Sequence, residues 1–202
     1  MRIVLLSAAL ALSILPAHAQ QASVDAKVVD QYVAGTFKGA SNEWKQRIEP
    51  DETSRVCSAM ALNLPQAEFD KILAREKATV KLPADGNVIG DWKAGQRIAQ
   101  SGRGGQFSDE PGTVSGGNCY ACHQLSKGEV SFGTLGPTLL EYGKIRKFDK
   151  KEAEAAYAKV YNAQAVQPCS NMPRFGHNKV LSEQQMKDVV AYLFDPASPV
   201  NK

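Results

Sequence analysis

The chain has 202 residues and a formal net charge of +3, with 24 Lys and Arg set against 21 Asp and Glu. So small a surplus argues against the strongly basic surface on which nucleic-acid binding depends. The length accommodates one domain with an extension, or two small domains.

Met1 to Ala19 has the form of a cleaved secretory signal peptide. Arg2 supplies the positive start, Ile3 to Ile14 the apolar run, and Ala17-His18-Ala19 a small-x-small cleavage site after Ala19. The run falls short of the roughly 20 apolar residues that a membrane-spanning helix needs, and no other stretch qualifies. The mature protein is expected to begin near Gln20, without Arg2, and to be soluble outside the cytoplasm without membrane insertion. In a bacterium that compartment is the periplasm, where disulfides persist.

Residues 20–88 are expected to form a helical extension packed on the domain at 89–202. Val24, Val28, Val29, Tyr32 and Val33 recur at helical spacing. Pro65 suits a first helical turn, Glu68 complements the helix start, and Phe69, Ile72 and Leu73 form a stripe. A helix is predicted from about Pro65 to Thr79, followed by a linker from Lys81 to Gly90. Nothing in the extension looks catalytic. Asp91 is a plausible N-cap for a helix reaching Ser101, with Gly102 as its stop. Gly95 and Ala99 share one face of that helix and permit close approach of another. The segment Gly102 to Asn118, rich in Gly, Ser and Asp, reads as loop. Its Gly102-Arg103-Gly104-Gly105 lacks the preceding strand and the glycine spacing of a phosphate-binding loop.

Cys119-Tyr120-Ala121-Cys122-His123 is the attachment signature of a c-type haem. On one helical turn, residues i and i+3 share a face, so both sulfurs can reach the two vinyl groups on one edge of a porphyrin. His123 is then tethered beneath the iron as its proximal ligand. A dithiol redox pair would need a βαβ setting, and none is visible. A zinc site would need a second ligand pair, for which Cys169 and His177 are a poor match. His123 also needs an acceptor for its other ring nitrogen, and the carbonyl of Pro137, in Gly136-Pro137, is positioned in sequence to serve.

The chain after His123 reads as irregular until about Lys150. Glu152 to Tyr161 predicts a helix with Ala156 and Val160 on one side, flanked by Tyr157 and Tyr161. The run Lys144, Arg146, Lys147, Lys150 and Lys151 reads as a solvated face, or as a patch steering an acidic partner. In the last helix Ser182 and Gln185 form a capping box, and Leu181 with Met186 a hydrophobic staple. Met186, Val189, Val190 and Leu193 form its buried stripe, and Asp195-Pro196 ends it. The Gly95/Ala99 face is its natural partner. The fold class that follows is all-α, with no sheet evident.

Candidates for a second, distal iron ligand are Met172, His177, Met186 and Cys169. Met186 lies on a core stripe, so its role is packing. Met172 lies in Asn171-Met172-Pro173-Arg174-Phe175-Gly176, where Pro173 forces it into an extended conformation and stiffens the loop. That suits a distal thioether; the alternatives are a Met172 packed on the haem edge, or a bis-histidine centre through His177. Of the four cysteines, Cys57 and Cys169 remain after the haem pair, and an even remainder in an oxidising compartment predicts a disulfide between them. Closing a loop of about 110 residues stabilises by up to about 4–5 kcal/mol in the chain-entropy model.

The order Cys119-x-x-Cys122-His123, Gly136-Pro137-x-Leu139, then Met172 before a C-terminal helix resembles a class I cytochrome c. Within that class four stretches are similar to SoxX, the smaller cytochrome subunit of bacterial SoxAX thiosulfate-oxidation complexes. They are Gly117 to Leu125, Gly133 to Pro137, Asn171 to Gly176, and Ala191-Tyr192-Leu193 with Ser198-Pro199-Val200-Asn201. The resemblance covers about residues 91–201. It implies one covalent haem c and a heterodimer with a SoxA-type cytochrome subunit. It also implies action on a SoxYZ carrier cysteine and delivery of electrons to an acceptor cytochrome c. The whole would be a cysteine S-thiosulfotransferase with the bond-forming site on the partner. A free electron-shuttle cytochrome of a respiratory chain is the alternative. No acid–base pair or nucleophile triad accompanies the motif, so no catalytic residue is expected in this chain.

Overall fold

The computed structural model describes residues 24–60, 63–106, 108–110 and 112–202; the signal-peptide reading lies outside them. The backbone falls into two compact units, one ending at Ser41 and the other running from Asn42 to Lys202. The first contains α1 (Ala26–Thr36), capped by Asp25, whose side chain accepts from Lys27 N. Val28, Val29 and Tyr32 are exposed, and no residue of this helix is buried.

The second unit contains α2 (Asn42–Ile48), α3 (Glu52–Met60), α4 (Gln66–Lys77), α5 (Trp92–Gln100), α6 (Tyr142–Ile145), α7 (Lys150–Tyr161) and α8 (Glu183–Phe194). The described residues contain no strand, so the fold is all-α as expected. Sequence periodicity did not reveal α2 or α3, because both are short, at seven and nine residues. It also missed α6, a single turn beginning after Glu141 in a left-handed conformation.

The core is organised on α8. The capping box is present, with Ser182 accepting from Gln185 N and the Gln185 side chain from Ser182 N. The stripe reading underestimated this helix: every residue from Met186 to Phe194 is buried, Lys187 and Asp188 included. The reason is that α5, α6, α7 and the C-terminal turn Pro199–Asn201 all pack on it. The two buried charges are satisfied. Asp188 accepts from Asp91 N at 2.9 Å and from Gln184 Nε2 at 2.8 Å, and Lys187 Nζ reaches Asp85 at 3.3 Å. The same contacts anchor the 81–90 segment, read above as a linker; its Val88 is 2% exposed.

Gly95 makes the α5–α8 crossing possible. A Cβ there would lie 1.9 Å from Asp188 O and 2.9 Å from Tyr192 Cβ, so only glycine allows the backbones this close. The tail finishes the core. Asn201 Oδ1 accepts from Gly143 N and Lys144 N, while its Nδ2 donates to Leu193 O and Asp195 O. One side chain thus satisfies orphan groups at the start of α6 and the end of α8.

Candidate functional site

The haem motif is fastened to the end of α5. Gly116 N donates to Arg103 O, Gly117 N to Ile98 O and Asn118 N to Ser101 O, at 2.8–2.9 Å. Asn118 then takes a left-handed conformation (φ 48°), which asparagine tolerates, and swings the chain into the turn Cys119–Ala121. Cys119 O accepts from both Cys122 N and His123 N, at 3.1 and 2.9 Å, so the motif coils into one tight turn. Cys119 packs against the core, and burial pushes its thiol up to about 12. A thioether carries no charge, so this partly buried, apolar seat suits one. Beside it Tyr192 of α8 is wholly buried; burial and then the charge of Glu129 push its phenol up to about 12.

The loop after the motif runs alongside it. Gly133 N donates to Tyr120 O, Gly136 N to Cys122 O and Leu139 N to Gln124 O, all at 2.8–2.9 Å. Two glycines make that approach sterically possible. A Cβ on Gly133 would fall 1.7 Å from Ala121 O, and one on Gly136 would fall 2.2 Å from His123 Cε1 and 2.5 Å from Nδ1. With the ring lying against Gly136, His123 Nδ1 sits 2.7 Å from Pro137 O. A carbonyl only accepts, so Nδ1 carries a proton, and in the neutral ring Nε2 is then the nitrogen with the lone pair. That is the tautomer an iron-ligating imidazole requires, and its orientation is held from behind. On these two observations, an apolar-seated Cys119 and a His123 tautomer presenting Nε2, the residues fit a covalent haem. Gly136 was not singled out as a packing residue by sequence; its place before Pro137 was the available signal.

The distal candidates separate clearly. Cys169 is disulfide-bonded to Cys57 and so has no free thiolate for metal. Met186 is 3% exposed and its sulfur faces Gly176 and the Tyr161 ring. His177 is half-buried, and its backbone N donates to Tyr161 O. Met172 is half-buried against the core, and Ser170 Oγ accepts from its backbone N at 3.2 Å. An open cleft of about 630 Å³ lies between α7, α8 and the 112–115 loop; neither the motif residues nor Met172 line it. Among the described residues no three or more His, Cys, Asp or Glu side chains gather as a metal-ion site.

Residues outside the motif that sequence reading missed hold the Met172 loop. Arg174 Nη1 lies 2.6 Å from Asp51 Oδ2 and 3.5 Å from Glu76 Oε2. Glu76, 3% exposed, accepts from the Thr53 hydroxyl and, at 2.8 Å, from Asn162 Nδ2. Arg174 could be suspected from its place beside Met172; Asp51, Thr53 and Glu76 carry no local signal. In the basic run, Lys144 pairs with Glu141, Arg146 with Glu152 and Lys150 with Glu154, which mutes its surplus charge. Among the described residues no helix is long and apolar enough to cross a membrane.

A family model described as Cytochrome c matches residues 93–195, the span from α5 through α8. The chain is also similar to a protein of Aquifex aeolicus (strain VF5) described as an uncharacterized lipoprotein. The two are 36% identical over 156 residues, which cover 75% of this chain and 73% of that protein.

Proposed function

The chain belongs to the cytochrome c family and is a haem electron-transfer protein; on that premise we propose that it is a SoxX-like subunit of an exported thiosulfate-oxidising complex. Covalent haem c, when bound, supplies an iron centre that takes up and releases one electron at a time. Cys119 and Cys122 would hold it through thioethers, and His123 would ligate through Nε2. Pro137 O keeps the Nδ1 proton in place and so fixes the imidazole's orientation and basicity. Met172, from its pinned loop, would supply the distal thioether.

What supports the reading of a closed, charge-relaying site is the tethering of the Met172 loop. It is half-buried, and its loop is tied covalently through Cys169 and ionically through Arg174. With Met172 as second ligand, the centre would relay charge without taking substrate at the metal. In the reaction we propose, thiosulfate sulfur joins a carrier cysteine sulfur on SoxYZ. One S–S bond forms, the cysteine thiol proton passes to solvent, and two electrons leave singly toward an acceptor cytochrome. The bond-forming site belongs to the SoxA-type partner. The four SoxX-like stretches support this assignment. Exposed Val130, Phe132 and Leu135, in the loop running alongside the motif, supply an apolar surface for such a partner. The form of residues 1–19 supports periplasmic residence.

Two measurements test the proposal. Replacing Met172 with Ala should abolish the Met–iron absorption band, lower the reduction potential and admit carbon monoxide rapidly to the ferrous protein. A wild-type protein that already binds carbon monoxide rapidly would refute the closed site. Co-expression with a SoxA-type subunit should yield a stable heterodimer, and failure to copurify would refute the subunit assignment.

A further inference from the structure

The helix α3 and the residue before it grip the polypeptide on both sides of Met172. Upstream, Cys169 is disulfide-bonded to Cys57 of α3. It adopts a left-handed backbone (φ 58°) that a residue with a Cβ disfavours, at the point where the chain turns toward Met172. Downstream, Arg174 reaches the opposite end of the same element. Its Nη1 lies 2.6 Å from Asp51 Oδ2, and its Nη2 donates to Ser54 Oγ at 3.5 Å. The arm is braced from beneath: buried Glu76 sits 3.5 Å from Arg174 Nη1 and is held by Thr53 of α3 and by Asn162 at the end of α7. Arg75 ties α4 to α3 again, donating to Thr53 Oγ1 at 2.7 Å and pairing with Glu52 at 2.7 Å. Met172 therefore lies between two anchors that belong to one short helix and its N-terminal flank, more than a hundred residues away in sequence.

We propose that α3 is a two-point clamp, in which the Cys57–Cys169 bridge and the Asp51–Arg174 pair act as positioning groups that hold the Met172 thioether in its distal place. The proposal rests on the reading of Met172 as distal ligand. An anchored loop opens rarely, so an exogenous ligand competing for the metal must wait for a small open population. Loosening either anchor enlarges that population without touching Met172 or His123. Residues 51–76 of the N-terminal extension then have a function in the electron-transfer site: they set how tightly the distal ligand is held.

The experiment uses the haem-loaded, oxidised mature protein and imidazole as the competing probe, with loss of the Met–iron band as the readout. Asp51→Asn, Arg174→Ala and Cys57→Ser/Cys169→Ser should each keep the band without imidazole and bind imidazole at least tenfold more tightly than wild type. Combining the bridge and Arg174 changes should exceed either alone. Arg174→Lys, which keeps the charge opposite Asp51, should return to within about threefold of wild type. Cys57→Ser/Cys169→Gly, which relieves the left-handed backbone while leaving the tether cut, should behave like the double serine variant. Glu152→Gln, at an ion pair remote from the loop, should bind imidazole as wild type does. If these variants lose thermal stability yet keep wild-type imidazole affinity, α3 is a structural brace only and the clamp is refuted. If wild type itself lacks the band and binds imidazole as Met172→Ala does, the distal-ligand reading fails instead. Asp51 is exposed enough that Asp51→Asn folds whatever the bridge contributes, so the test does not depend on the cysteine variants.

Discussion

Gly136→Ala probes the packing behind His123. An alanine methyl would fall 2.2 Å from Cε1, 2.5 Å from Nδ1 and 2.7 Å from Nε2 of the ring. Ordinary carbon contacts are about 3.5–4.0 Å, so ring and loop must separate by roughly 1 Å or more. The loop cannot back away freely, because Gly136 N donates to Cys122 O at 2.8 Å. The ring must therefore move, and its 2.7 Å contact with Pro137 O lengthens beyond hydrogen-bond range. Overpacking costs about 1–3 kcal/mol and the lost bond about 0.5–1.5, against a gain of at most about 1 from a stiffer unfolded chain. The expected net loss is about 2–3 kcal/mol, or roughly a 1 M drop in urea midpoint at ordinary slopes. The assay is urea unfolding of the haem-loaded protein by far-ultraviolet circular dichroism, with the reduction potential measured in parallel. Gly128→Ala is the control; its Cβ would meet nothing within 4 Å, so its stability should stay within about 0.5 kcal/mol of wild type. If Gly136→Ala matches that control and keeps the wild-type potential, the claim that Gly136 fixes the imidazole is wrong.

Gly95→Ala should destabilise by about 2 kcal/mol or more in the same urea assay, despite a helix-propensity gain of about 1, because the obstacle at 1.9 Å is the Asp188 backbone carbonyl. Acid should loosen the attachment of α3. Burial works to raise the Asp51 carboxyl, but hydrogen bonds from Arg174 and Ser54 outweigh it and bring it from 3.8 to about 2. Burial likewise opposes ionisation of Glu76, and bonds from Thr53 and Asn162 with the Arg174 charge outweigh both burial and the nearby Asp51 charge, lowering it. Both folded-state values lie below the unfolded ones. Their contribution is thus complete above about pH 5 and is lost as pH falls toward about 2. Thermal midpoints measured across that range should decline, and more shallowly in Asp51→Asn; an unchanged slope in that variant would refute the assignment.

Sequence alone determined what is written within a few residues. The Cys119–His123 spacing, the Asp91 cap, the Ser182/Gln185 box and the close-packing face at Gly95 each depend on hydrogen bonds or side-chain periodicity inside a single turn or helix. Cysteine parity went further and pointed to Cys57 with Cys169, because covalent chemistry in an oxidising compartment leaves few other partners. Tertiary structure alone decided the burial of α8 from Met186 to Phe194 on every side, since a helix cannot show in its own pattern that four other elements surround it. It alone placed the His123 ring against Gly136, where the missing side chain is the signal. It also joined Arg174 to Ser54 across 120 residues. No local rule connects an arginine beside a methionine to a short helix more than a hundred residues before it; only packing the two together lets a buried Glu76 and an exposed Asp51 share one guanidinium.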